Sequence, residues 1–527
     1  MFNRLALGVL LTIIPALNCS SGSASAQAED LWQLARDAQS VHRFSTLITA
    51  QNVRDLLSTE EGLNDAIMWC QQTGVTKIYL ETFRSNYTAR AEALIQARDQ
   101  FRAAGIEVSG CVTTTNVGKQ STGWNLISCY THPPTQATLQ RIFEFTASLF
   151  DEIMIDDFWF TDCECQDCIA ARQARTVTIQ GETYPVTGDS WEDYRCELLV
   201  QLSRHAVLAP ARRVNPRVKV IIKYPQWYDQ FHNRGYEVLR ETEDFDRIWV
   251  GTEVRDYQDK QWGGTPPYEA YFIMRWLGGI GAEKCGGGWY DPYGTTEKTY
   301  VEQARQTILG GARESTLFCY GSLLEGTGPR NVEVLREHIP ELLQVAKQVR
   351  QRQIVGVAAY KPANSHAENE PRVFDFIGML GIPLVPCHTF PTDAPAGFFS
   401  VHALKDPLLI NQLSAFIDAG KPTLLTDGLA KRLQSKMNLQ RDNVLIVPVN
   451  GEPKSLLELP QTELDTWRRV LLAPLSVQFQ APNRIGLYLF SDGSWVVENF
   501  RDEPVTVQFN GQSLEIGPRD WKSDWRK

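Results

Sequence analysis

The chain has 527 residues, 43% hydrophobic and 22% charged, which argues against disordered, collagenous and coiled-coil classes. Its length suits three or four domain-sized units, and a barrel would account for about 250 residues on its own. A net charge of −10 and a pI near 5.5 argue against nucleic acid or an anionic membrane as the main partner. Aromatics make up 10%, with 14 Trp and 17 Tyr, and aromatic faces are also how proteins grip sugars.

The first segment reads as a secretory signal. Arg4 supplies a positive start, Leu5 to Leu17 form an apolar run broken by Gly8 and Pro15, and Ala24-Ser25-Ala26 is an A-x-A cleavage site. The run is short of the ~20 residues a membrane span needs. Cys19 raises a lipoprotein alternative, but Asn18 is a poor residue before a lipidated Cys. Cleavage after Ala26 predicts an exported protein, periplasmic or extracellular, with no membrane span. It would leave ten cysteines, an even number, in an oxidising compartment.

From residue 42 to about 350 one pattern repeats: an apolar, β-branched run, a polar loop, then a helical stretch. Strands are predicted at 44–50, 76–81, 107–113, 152–158, 219–224, 247–252, 285–290 and 315–321. Helices are predicted between them at 60–73, 90–104, 134–150, 191–211, 267–279, 298–310 and 331–349. Gly74, Gly105 and Gly310-Gly311 stand where helix C-caps belong. Eight such units predict a (β/α)8 TIM barrel over 27–350. An open doubly wound sheet is the alternative, disfavoured by the count of eight and the long insertions.

The rhythm restarts near Arg350. Strand-like runs at 354–360, 383–387, 397–401, 422–426 and 444–449, with helices at 372–381 and 408–419 and a connector at 458–472, predict a small α/β unit over 351–475. It is of the flavodoxin or amidotransferase-like kind. Residues 476–527 predict an antiparallel β domain, with strands at 485–489, 494–499, 505–509 and 512–516. Asp492-Gly493 and Asn510-Gly511 are hairpin signals between them.

In a barrel, catalytic groups come from the C-terminal ends of the strands. Those ends carry a ring of carboxylates (Glu81, Asp156, Asp157, Glu253 and Asp291) interleaved with Trp and Tyr. Glycoside hydrolysis needs this mixture: one carboxylic acid protonates the leaving oxygen and one carboxylate attacks or activates water. The sharpest element is Ile155-Asp156-Asp157-Phe158-Trp159-Phe160, an apolar strand that ends in two acids. Side chains alternate along a strand, so only one of the two is expected to face the barrel axis. Glu253 is the expected partner, the alternative being a loop ion pair with Arg255 or Lys260.

Glu81, Arg84 and Asp291 are expected to bind substrate hydroxyls, and Lys223 and Tyr224 to orient substrate or tune a neighbouring acid. Trp159, Trp227 and Trp289 all lie just past strand ends and are expected to stack on sugar rings. Cys163, Cys165 and Cys168 form a C-x-C-x-x-C knuckle. It suits a structural zinc, with Cys196 or a His as fourth ligand, or a disulfide tying down a loop. Cys387-His388 reads as structural, and catalysis is expected to need no cofactor. No G-x-S-x-G elbow, P-loop or H-E-x-x-H motif is present.

The order of barrel, small α/β unit and β domain resembles family 42 β-galactosidases, whose middle unit is a trimerisation domain. The Asp156-Asp157-Phe158 segment is similar to the D-D-Y-F run of hypothetical glycosyl hydrolase-like bacterial families, where a cysteine knuckle after the fourth strand recurs. Family 42 enzymes carry Asn-Glu on strand 4 and a Glu nucleophile on strand 7. Here those places hold Asp156-Asp157 and Asp291. A strand 4 Asp with a strand 6 acid instead resembles the α-galactosidase clan. That resemblance implies Asp156 or Asp157 as nucleophile and Glu253 as acid/base. The expectation is an exported hydrolase acting on an oligo- or polysaccharide. A non-catalytic carbohydrate-binding protein is the alternative, and homo-oligomerisation is left open.

Overall fold

The computed structural model describes residues 21–255 and 265–527, with side chains from residue 30 onward. Most of the expected signal, and Lys260, lie outside them. Eight parallel strands run β1 (Arg43–Ile48), β2 (Val75–Arg84), β3 (Glu107–Val112), β4 (Glu152–Ile155), β5 (Lys219–Tyr224), β6 (Arg247–Gly251), β7 (Cys285–Tyr290) and β8 (Glu314–Leu317). Strand β1 pairs with β2 on one side and β8 on the other, so the sheet closes into the expected TIM barrel. The doubly wound alternative would leave two open edges.

Helices follow the strands as local signals direct. Thr59 caps Glu60–Gln72 by accepting from the Gly62 N–H, and two prolines open Pro133–Leu149. A capping box of Ser190 and Asp193 starts Trp191–Leu202. The helix predicted over 191–211 widens into a π-turn at Ser203–Leu208 before resuming as Ala209–Val214. Pro210 lacks the N–H for the usual i→i−4 bond and its ring crowds the preceding turn, which favours the wider helix there. A hairpin of Thr176–Ile179 and Glu182–Pro185, absent from the sequence expectation, precedes this helix.

The barrel is filled by Leu47, Tyr79, Cys111, Met154, Ile221, Trp249, Trp289 and Cys319, one from each strand or its end. The Trp249 ring lies against Gly286 and Gly287, where a Cβ would come within 2.4 Å of it. The glycine run in β7 therefore makes room for an indole. Side chains alternate along a strand, so residues two further on face the same axis. Those are Glu81, Thr113, Asp156, Lys223 and Asp291. The packed interior is thus the floor on which the polar layer stands.

The middle unit is a five-stranded parallel sheet of Val357–Tyr360, Leu384–Cys387, Gly397–Phe399, Thr423–Thr426 and Val444–Val447. Numbered in chain order, the strands lie 2-1-3-4-5, the flavodoxin-like arrangement. The single strand predicted at 354–360 is two. Ile354–Val355 joins the C-terminal sheet, and Val357–Tyr360 joins the α/β sheet. The chain switches at Gly356, where a Cβ would meet the Pro383 carbonyl oxygen at 2.0 Å. The C-terminal unit packs two small antiparallel sheets. Asn510 and Gly511 both take positive φ (48° and 79°), as a type I′ hairpin turn requires. Among the described residues no helix is long and apolar enough to cross a membrane.

Candidate active site

A cleft of about 590 Å³ opens at the C-terminal ends of the barrel strands. Lys223, at the end of β5, is the hub of its floor. Its side chain is 1% exposed, and its ammonium donates to Asp157 Oδ2 at 2.9 Å and Glu253 Oε1 at 2.7 Å. Asp156 Oδ1 lies 4.0 Å away and the Trp289 ring centre 4.3 Å away. Burial alone would lower the lysine's pKa, but Asp157, Glu253 and Asp156 outweigh it and raise it, so the ammonium stays charged.

Asp156 is held on every side. Oδ2 accepts from Arg84 at 2.8 Å and from Thr113 at 2.9 Å, and Oδ1 accepts from the Asp157 N–H at 2.8 Å. Burial pushes its carboxyl up, but Arg84 and Lys223 outweigh that and keep it below the usual range. Asp157 differs. Burial pushes it up to about 8, against the pull of Lys223 and with Asp156 and Glu253 adding to the rise. Among the described residues Glu253 Oε2 has no partner, although it is buried. The close fit at β6 needs a glycine, because a Cβ on Gly251 would sit 2.5 Å from that oxygen. Asp291 pairs with Arg255 at 2.6 Å, and burial still lifts it to about 6 against that pairing.

Both Asp156 and Asp157 line the cleft, which corrects the expectation that only one faces inward. Strand β4 ends at Ile155, so the alternation rule no longer governs Asp157. Arg84, Lys223, Trp227, Glu253, Trp289 and Asp291 also line it, as expected.

Three expected binding residues do not. Tyr224 alternates with Lys223 and packs outside the barrel against Phe231 and Tyr236. Trp159 is fully buried against Tyr130, its indole N–H donating to Ser203. Glu81 is fully buried beneath Arg84, which it holds at 2.9 Å. It lies beneath the cleft lining and holds Arg84 in place.

Beside Trp227 and Trp289, part of the aromatic wall comes from residues outside the sequence expectation. Phe158 and Phe160 line the cleft with Trp124, whose ring lies 5.5 Å and 6.1 Å from theirs. Trp124 stands on the loop after β3, 43% exposed, its backbone N–H donating to Asp162 at 2.8 Å. Gln226, Gln230, Arg234, Arg255, Tyr293 and Phe318 complete the lining.

The cysteine knuckle ties these loops together. Its fourth member is Cys129, from the Trp124 loop, and neither Cys196 nor a His. The Cys196 thiol instead faces the His232 carbonyl. Cys129 Sγ lies 3.7 Å from Cys165 Sγ and 3.6 Å from Cys168 Sγ, and Cys165 lies 3.7 Å from Cys168. These distances exceed a disulfide bond of ~2.05 Å. They match the edge of ~3.8 Å between thiolates around a tetrahedral zinc at ~2.3 Å. All the described cysteines are free thiols. The four-cysteine cluster can hold a structural zinc, and the disulfide expectation is not met.

Residues 27–339 match the family model described as "Probable glycosyl hydrolase, catalytic domain". The chain belongs to that family. This glycosyl hydrolase domain covers the barrel and its floor of acids. The chain is 26% identical over 364 residues to an uncharacterized protein of Saccharolobus solfataricus, covering 65% of this chain but 59% of that protein's length. The solved α-L-fucosidase isoenzyme 2 from Paenibacillus thiaminolyticus aligns over 90% of this chain and 91% of its own, with a TM-score of 0.59. At 10% identity that likeness concerns the fold alone.

Proposed function

We propose that the protein is an exported retaining glycoside hydrolase, with Asp157 and Glu253 as its reacting pair. The observation that carries this reading is Lys223, which holds one oxygen of each carboxylate at 2.9 Å and 2.7 Å in the floor of an aromatic-walled cleft. Those two oxygens lie no more than about 5.6 Å apart, and this closeness favours a retaining pair (~5–5.5 Å) over an inverting one (~6.5–9.5 Å). A non-catalytic sugar-binding protein would not need an acid and a base meeting at one ammonium.

The pair shares one proton, since burial and mutual repulsion oppose a second ionisation. Among the described residues Glu253 Oε2 is buried without a partner, which leaves it open to the leaving oxygen. With the shared proton moved off Asp157, an Asp157 carboxylate oxygen attacks the anomeric carbon while the glycosidic C–O bond breaks and that proton passes through Glu253 to the leaving oxygen. Glu253 then takes a proton from water, the hydroxide attacks the same carbon, and Asp157 is released with the configuration retained. Asp156 is a positioning residue, because Arg84, Thr113 and the Asp157 N–H occupy its oxygens.

The test is a screen of nitrophenyl glycosides and oligosaccharides, α-L-fucosides among them, followed by NMR of the first-formed anomer. Retention is expected, and an inverted product would overturn the assignment. The rate should fall above about pH 8, where the shared proton leaves the pair.

The same reading includes a structural zinc at Cys129, Cys163, Cys165 and Cys168. A bound zinc would fix the Trp124 loop against the Phe158–Phe160 segment. Purified protein should carry about one zinc per chain. Chelation should raise KM more than it lowers kcat, because the aromatic wall loosens while the barrel floor stays. Absence of zinc, or cysteines that resist thiol reagents as disulfides, would remove this part. Export rests on the Ala24-Ser25-Ala26 pattern. A family 42-like assembly role for the middle unit draws support from its edge strand Val444–Val447, where Ile446 is 48% exposed.

A further inference from the structure

The charged residues that line the cleft fall into pairs, with one remainder. Arg84 is matched by Glu81 and Asp156, Lys223 by Asp157 and Glu253, and Arg255 by Asp291. Arg234 also lines the cleft, yet among the described residues its guanidinium has no carboxylate partner and no hydrogen bond. The side chain is nonetheless placed. Its Cζ lies 5.0 Å from the Phe160 ring centre and 5.4 Å from that of Trp227. Its carbonyl accepts from the Thr161 N–H at 2.9 Å, and Gly235, with φ of 101°, ends its short helix.

A guanidinium stacked on aromatic faces keeps its edge N–H donors free, in the fork that matches a carboxylate or sulfate. Neutral hydroxyls do not require a full charge, and Gln226 and Gln230 already line the same cleft with amides that serve them. The lysine and the other two arginines are neutralised by the catalytic layer. Arg234 is the cation left over for the ligand.

We infer that the cleft selects a saccharide bearing an anionic substituent, a uronate carboxylate or a sulfate ester, which Arg234 binds beside the aromatic wall. This rests on the reading of the cleft as a sugar site and names the class of sugar it takes. The anion would sit on the ring stacked at Phe160 and Trp227. The floor acids, which would repel it, face the scissile bond.

The test is direct binding on an array of matched pairs. Each uronate oligosaccharide is printed beside its carboxyl-reduced parent, and each sulfated one beside its desulfated parent. Wild type should favour the acidic member of at least one pair by roughly 10–100-fold, as a charged hydrogen bond contributes. The preference should weaken with salt and be lost in Arg234→Gln, while the melting temperature of that variant stays at the wild-type value. Which set responds, reduced or desulfated, identifies the anion. Equal binding of acidic and parent sugars, or a preference that survives Arg234→Gln, overturns the inference. Binding without hydrolysis would sink the hydrolase proposal and leave this one standing. Hydrolysis of neutral glycosides with no acidic preference would do the reverse.

Discussion

Glu253→Gln should lower kcat by roughly 10²–10⁴-fold on natural glycosides, the contribution of a positioned acid, and Asp157→Asn by at least as much. The two losses should differ in kind. A nitrophenolate leaves without protonation, so Glu253→Gln should retain far more activity on nitrophenyl glycosides than on oligosaccharides. Asp157→Asn should lose both, because no nucleophile remains to displace either leaving group. Azide sharpens the distinction. It should rescue Asp157→Ala by attacking the anomeric carbon directly, with an inverted glycosyl azide as product. It should rescue Glu253→Ala at the second step, attacking the Asp157 ester, with a retained azide as product. Full activity in both Asp157→Asn and Glu253→Gln would end the proposal. Exchanged rescue stereochemistry would swap the two roles.

The barrel was legible because its strands are short apolar runs between polar loops, and β5 and β7 match their predicted bounds. The polar layer was legible for the same reason. A period of two places Lys223 and Asp156 on the face of Ile221 and Met154, which fill the barrel. That rule would also have excluded Tyr224, the neighbour of Lys223 on the opposite face. What was not legible came from long loops. Trp124 lies in the stretch between β3 and the helix that begins at Pro133, and nothing in its local pattern says which way it folds. The one available signal was Cys129, a single cysteine close behind it and in need of partners. The knuckle at Cys163–Cys168 would have drawn that loop over β4 and brought Trp124 to Phe158 and Phe160. Arg234 was hidden for a different reason: an unpaired cation is visible only once every other charge has been matched in space.

Lys223→Met should be more damaging to the fold than either acid variant, and its cost should depend on pH. The ammonium compensates Asp157 and Glu253 at hydrogen-bond distance and Asp156 at 4.0 Å, all with little solvent. Breaking a buried ion pair by removing one partner costs about 3–5 kcal/mol, because the remaining charge is left unmatched. The carboxylates can avoid that cost by taking up protons. Asp157 already stands near 8, far above an unfolded Asp near ~3.9, and without the lysine it rises further. A carboxyl whose folded pKa is raised binds more protons folded than unfolded. Stability therefore falls as pH climbs from the unfolded value towards the folded one. The melting temperature of Lys223→Met should lie near that of wild type at pH 5 and fall progressively below it by pH 8. In wild type the lysine limits that fall. Its own pKa is raised by the acids after burial has pulled it down, so its stabilisation persists below the unfolded value of ~10.4. A melting difference that stays constant from pH 5 to 8 would mean that Lys223 packs against Trp289 without governing the ionisation of the pair. The pH optimum of the hydrolase would then have to be set elsewhere in the cleft.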